Sequence, residues 1–173
     1  MRLIRALARR FTRQERGSIA VEFAILVPVL ILLMGATYEL AGGIEANSQL
    51  NIMVGQVALS WGDCSDSPAG DCQAEMNQYI AARTNIAPAL NTSQLTLNLW
   101  QVNNSYGTVN VVYGTTAITA AATNLALAQI PEGQSGVIAI GSYNYQARAF
   151  TVVTQPFIGS GIVFSQHAVA RKG

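Results

Sequence analysis

Arg16-Gly17-Ser18-Ile19-Ala20-Val21-Glu22-Phe23 places a basic flank and a small residue just ahead of one carboxylate, at the mouth of an apolar run that continues through Ala24-Ile25-Leu26-Val27-Pro28-Val29-Leu30. No charged side chain occurs from Phe23 to Tyr38. An α-helix rising about 1.5 Å per residue needs about 20 residues to cross a hydrocarbon core of roughly 30 Å. A span from about Ile19 to Ala41 meets that requirement. An acid at the mouth of such a helix costs several kcal/mol and calls for a specific partner, which makes Glu22 the first candidate functional residue.

Composition points the same way. Half of the 173 residues are hydrophobic and 11% are charged, against roughly a quarter charged in soluble domains. Arg2, Arg5, Arg9, Arg10, Arg13 and Arg16 all precede the span, opposed there only by Glu15. By the positive-inside rule this end stays cytoplasmic and the residues after the span lie across the membrane. From Ser18 onward, four basic side chains (Arg83, Arg148, Arg171, Lys172) face eight acids, a net charge near −4. That balance does not favour nucleic-acid binding.

Ahead of Gly17, Leu3, Ile4, Leu7, Ala8 and Phe11 recur at three- and four-residue spacing among the arginines. Two readings stand: an amphipathic helix lying on an anionic inner leaflet, or a disordered basic leader that only sets topology. A conventional secretory signal fits less well. Its basic region would be long, an acid interrupts the apolar segment, and Ala41-Gly42-Gly43 matches the small-x-small cleavage pattern poorly.

The residues from Arg16 to Ala41, with Glu22 five positions beyond Gly17 and with Gly35 and Glu39 further on, resemble the N-terminal segment of the TadE-like family, pseudopilins of the Flp/Tad pilus and tight-adherence machinery. The resemblance implies cleavage by a prepilin peptidase between Gly17 and Ser18, which would make Glu22 the fifth residue of the mature chain. It also implies a role for Glu22 and Phe23 in pilin assembly. The partners implied are the bacterial inner membrane, the prepilin peptidase, other pilins or pseudopilins and the pilus assembly platform, with no cofactor.

Beyond the span, Leu40 to Trp61 lacks proline and keeps Ile44, Leu50, Met53, Val54, Val57 and Trp61 among polar positions, the pattern of a partly amphipathic stalk. Gly35, Gly42, Gly43 and Gly55 each weaken that helix by roughly 0.5–1 kcal/mol relative to Ala, although Gly35 also permits close helix approach. Pro28 removes one backbone bond and should bend the helix. Asp71 is a candidate N-cap for a helix through Met76, Tyr79, Ile80, Arg83 and Ile86 that Pro88 ends. Strands are expected over Leu95 to Leu99, Gly107 to Tyr113, Val137 to Ala147, Phe150 to Val153 and Ile162 to Val169, while the Ala-rich Thr116 to Gln129 reads as helix or loop. The fold class expected is α+β: a long N-terminal transmembrane helix with a periplasmic stalk, then a small pilin-like antiparallel-sheet domain with packed helices. The divisions are a basic cytoplasmic leader (1–17), the span and stalk (18–62) and a periplasmic domain (63–173).

Catalytic signals are nearly absent. Gly133-Gln134-Ser135-Gly136 is one residue short of a nucleophile elbow, and Gly159-Ser160-Gly161 lacks the last glycine of a dinucleotide fingerprint, where Phe164 stands. Both read as turns. His167 is the only histidine and has no evident acid or nucleophile beside it. Glu75 and Glu132 do not declare a carboxylate pair. Trp100, Tyr106, Tyr113, Tyr143 and Tyr145 read as core or sheet-face packing, with any exposed subset available to a neighbouring subunit. The expected function is non-enzymatic: a minor pilin or pseudopilin in Tad/Flp pilus assembly for adhesion or secretion. The alternatives are a permanently anchored single-pass scaffold of the pilus machinery or another envelope complex, and, more weakly, an exported ligand-binding or enzymatic domain released from its front helix.

Cys64 and Cys72 bracket the turn-rich Ser65-Asp66-Ser67-Pro68-Ala69-Gly70-Asp71. Outside the inner membrane such a pair oxidises, and closing the small loop stabilises by a few kcal/mol. A metal site would need two further ligands and a different spacing. Intact mass before and after reduction and alkylation should therefore show two thiols released only by the reductant; thiols that alkylate without reduction would count against the bond.

Overall fold

A computed structural model of the chain describes residues 2–63, 74, 78, 81, 87–147 and 161–171, with side chains of the first helix described over residues 19–62. That helix, α1, runs as one element over Arg2–Asp63 with Pro28 inside it. Span and stalk are thus continuous, as the proline-free pattern after Leu40 predicts. The candidate bridge Cys64–Cys72, the helix after Asp71 and the strand over Phe150 to Val153 fall outside the described residues; of the described positions between Asp71 and Ile86, Ala74, Gln78 and Ala81 are helical.

After a short 3₁₀ turn at Thr92–Gln94 come strands β1 (Leu95–Ser105) and β2 (Thr108–Gly114), helix α2 (Ala120–Gln129), and strands β3 (Ser135–Tyr145) and β4 (Ile162–Arg171). The four strands form one antiparallel sheet in the order β2-β1-β3-β4. The fold is α+β, with α1 on one face of the sheet and α2 on the other.

Alternation along each strand makes both faces apolar. Leu99, Val137, Ala139, Tyr143, Tyr145 and Ala170 face α1 and share a core with Ala46, Leu50, Met53, Val54, Val57, Ala58 and Trp61. Trp100, Val102 and Ile138 face the other way, against Ala122, Ala126 and Ile130. The stalk therefore supplies one wall of the head's main core. Trp61 meets Tyr113 edge-on at 5.0 Å between ring centroids.

The Ala-rich segment left open as helix or loop is helix over Ala120–Gln129, started by Thr119, whose Oγ1 accepts from the Ala122 N–H at 3.2 Å. Its small Ala122 and Ala126 let it sit close to Trp100, whose Nε1 donates to the Thr116 carbonyl at 2.8 Å. Strand β1 extends six residues past its expected end at Leu99. Polar Asn103 and Asn104 hide the continuation, yet Asn104 is buried: its N–H donates to the Gln134 carbonyl, its C=O accepts from Gly133, and its Nδ2 donates to the Ile130 carbonyl. Tyr106 and Gly107, both at positive φ, make the tight turn into β2. A bulge then places Val112 outside the pairing, because Gln101 faces Tyr113 while Val102 faces Val111.

Sheet and stalk approach closely at Gly141, where an added Cβ would collide with Val54 Cγ2 and come within 3.1 Å of Leu50 Cδ1. Gly55, by contrast, has open space around it in the helix. Gly141→Ala should therefore destabilise the head by about 1–3 kcal/mol through overpacking, whereas Gly55→Ala should stabilise it by about 0.5–1 kcal/mol. Thermal unfolding of the full chain in detergent, followed by near-ultraviolet circular dichroism, measures both signs.

Candidate functional site

Over residues 19–34, α1 is a largely apolar cylinder whose side chains are exposed. Phe23, Ile25, Leu26, Leu30, Leu33 and Met34 are all exposed, although each would be buried in an ordinary soluble core. The helix is long and apolar enough to cross a membrane over a candidate region of Ile19–Gly62. Its polar Thr37 is satisfied within the helix, Oγ1 donating to the Met34 carbonyl at 2.9 Å and to that of Leu33 at 3.1 Å.

Gly17, Ser18, Glu22 and Phe23 all lie on this one helix. Ser18 and Glu22 are four residues apart, which places them one turn apart on the same face. Phe23 projects outward beside Glu22, 65% exposed. A peptide bond at 17–18, an acid one turn further on and an exposed aromatic ring thus fall within two helical turns at the start of the apolar segment.

At residue 39 the surroundings of α1 change from exposed to packed. Glu39 is 6% exposed, and the Tyr145 hydroxyl donates to its Oε2 at 2.9 Å, with the Glu39 backbone carbonyl 3.3 Å away. Gly42, one turn above, makes this contact possible: a Cβ there would lie 2.6 Å from the Tyr145 Oη. A Cβ at Gly43 would lie 3.6 Å from the Phe164 ring, and Phe164 packs on Tyr145 with centroids 6.1 Å apart. Higher up, Gln49 Oε1 accepts from the Ala89 N–H at 2.9 Å, and Gln166 Nε2 donates to Asn47 Oδ1 at 2.8 Å. Gly42 and Gly43, which in sequence only weaken the helix, are where the lower end of the sheet docks. A Gly-Gly pair one turn after an acid in an otherwise amphipathic stalk is the available signal, but Tyr145, which bonds that acid, lies 106 residues from Glu39.

The remaining sequence candidates separate from this region. His167 is exposed on β4, opposite Ile140. Gly133 adopts positive φ in the turn before β3. Trp100, Tyr143 and Tyr145 are core residues, Tyr113 is half-buried against Trp61, and Tyr106 is exposed at the hairpin tip. Among the described residues no group of three or more His, Cys, Asp or Glu is placed to hold a metal ion.

The apolar helix, its early acid and its glycine-marked junction with the sheet all lie within one matched segment. Residues 17–58 match the TadE-like protein family. No curated protein and no solved structure matches the chain. The TadE-like segment begins at the candidate cleavage position and ends inside the stalk, so it covers the exposed half of α1, the Glu39 junction and most of the helix residues in the head's core. The sheet itself lies beyond it.

The junction predicts a measurable coupling. Tyr145→Phe removes a buried donor from Glu39 and should cost about 1–3 kcal/mol. Gly42→Ala, which pushes the same hydroxyl away, should cost a similar amount. Combined, the two should lose much less than the sum of their separate effects, because the second change finds the contact already broken. Full additivity in detergent-solubilised thermal unfolding would separate Gly42 from the Tyr145–Glu39 contact.

Proposed function

We propose that this chain is a minor pilin or pseudopilin that takes part in assembly of a Tad/Flp-type pilus serving adhesion or secretion, with no catalytic role. The observation that carries the reading is the coincidence of the TadE-like match at residues 17–58 with an exposed apolar helix bearing Glu22 at its start. In this reading the Arg-rich end is cytoplasmic, a span from about Ile19 to Ala41 crosses the inner membrane once and the head is periplasmic. A prepilin peptidase cuts between Gly17 and Ser18, where glycine offers it no side-chain bulk.

The mechanism is assembly by exchange of surroundings. In the bilayer, lipid covers the side chains of the span. On extraction that apolar surface must be covered by other helices, or it stays in water at about 25 cal/mol per Å². Ile52 and Leu59, exposed on the stalk's outer side, extend the apolar surface above the span and favour a helix-bundle environment for the whole of α1. Cleavage creates a new α-amino group at Ser18, one turn from Glu22. That amine, or the one on an adjoining subunit, neutralises the carboxylate in a low-dielectric bundle, where breaking a buried pair costs several kcal/mol.

N-terminal sequencing with and without the cognate prepilin peptidase should give Ser18 and Met1, respectively, as the first residue. Gly17→Leu should leave the heavier precursor. Glu22→Ala should still fractionate with membranes, since losing a charge makes the span more apolar, while recovery of other pilins in a pull-down should fall about tenfold or more, the factor that each 1.4 kcal/mol carries. An unprocessed chain that still binds the pilus machinery would instead identify a permanent scaffold, and normal assembly with Glu22→Ala would remove the recognition role from this carboxylate.

A further inference from the structure

Strand β4 descends alongside α1. Ala170 faces Gly62 near the top of the stalk, and Phe164 faces Gly43 near its base. The strand continues past Phe164 for two residues at about 3.3 Å each, with Val163 opposite Asn144 and Ile162 opposite Tyr145. Tyr145 in turn reaches Glu39 and abuts Gly42. The lower end of the sheet is therefore level with helix residues 38–43. Counted from Ile19, a hydrocarbon core of roughly 30 Å is used up at about residue 38. The lower end of the described sheet and the edge of the hydrocarbon thus fall at the same height.

The large hydrophobic side chains at that height are exposed, with polar Gln146 and Thr37 beside them. Val163 is 67% exposed and Ile162 is 44% exposed at the start of an edge strand. Tyr38 and Leu40, on the helix at this level, are also exposed. The acid at this level, Glu39, is turned inward onto Tyr145. We propose that this end of the head is a lipid contact: Ile162 and Val163, with Tyr38 and Leu40, sit in the headgroup–acyl boundary of the same bilayer that α1 crosses, seating the sheet on the membrane before extraction. Level and chemistry identify the occupant: large apolar side chains of the span are exposed up to Tyr38 and Leu40, and Ile162 and Val163, one on each face of β4, are exposed at the same height. Tyr38 fits the boundary as an aromatic with one polar end. The inference rests on α1 being a membrane span and is independent of the pilus reading.

The test uses the full chain in vesicles of phosphatidylcholine and phosphatidylglycerol, with and without bromine at shallow acyl-chain positions. Val163→Trp places a quenchable ring at the proposed contact, and Ile162→Trp repeats it one residue away. Val112→Trp is the control: Val112 is 63% exposed on β2 beside Tyr113, which packs on Trp61, about 33 Å along the helix from Glu39. The native Trp61 and Trp100 are distant or buried and set the baseline. Emission of Val163→Trp and Ile162→Trp above that baseline should fall by roughly half in brominated vesicles, as for a side chain at the headgroup–acyl boundary, while Val112→Trp should not change. Chains that float with the vesicles but show no bromine quenching at either position overturn the lipid contact; if their emission is also blue-shifted and shifts on dilution into excess lipid, a second copy covers the site instead. Chains that fail to float overturn the span and the lipid contact together.

Discussion

Inside hydrocarbon, every backbone N–H and C=O must find its partner within the segment, and α1 meets that demand by continuing as helix from Arg2 to Asp63. This continuity governs the rest of the chain. Once the segment leaves the bilayer it is still a helix with apolar positions, and they must be covered or face water. The sheet covers them. Leu50, Met53, Val54 and Val57 are fully or almost fully buried beneath β3 and β4, and burying each stabilises by about 1.5–3 kcal/mol. The head consequently has no complete core without its stalk, and a force or displacement applied to the helix is delivered directly to the sheet.

That delivery depends on close approach, which three glycines permit. Gly141 admits Val54, Gly42 admits the Tyr145 hydroxyl and Gly62 admits Ala170. In an isolated helix, Gly42 and Gly62 would only cost helical propensity. Here that cost is offset by contacts a Cβ would block, so the same residues that weaken the helix fix the register of the sheet upon it. Gly55, with nothing near it, has no such compensation and marks where the stalk is locally improvable.

The fold was legible in sequence where periodicity was strong and local. The uncharged run from Phe23 to Tyr38 and the Leu-Thr-Leu-Asn-Leu alternation at Leu95 each point to the element found there. The extension of β1 through Asn103 and Asn104 was not legible, because it depends on the turn at Gly133 and Gln134 satisfying Asn104 from another part of the chain. Helix α2 was ambiguous because alanine fills helix and loop alike until Trp100 is known to lie beneath it. The junction was the least visible part of the site. Glu39 could be read as one more acid near the span, and nothing local indicates that Tyr145 will reach it.

The two acids of this helix show how position decides the role of a side chain. Glu39 lies where the head begins, and the chain itself supplies a donor, Tyr145, in a pocket opened by Gly42. Its energetic problem is solved within one subunit, and its effect is to fix the head to the helix. Glu22 lies about 25 Å further down, on the stretch whose side chains are exposed. The described sheet does not extend to that depth. A contact made to the sheet fixes the head to the helix, whereas the surroundings of an acid on the exposed apolar stretch change with whatever covers that stretch, lipid or other helices.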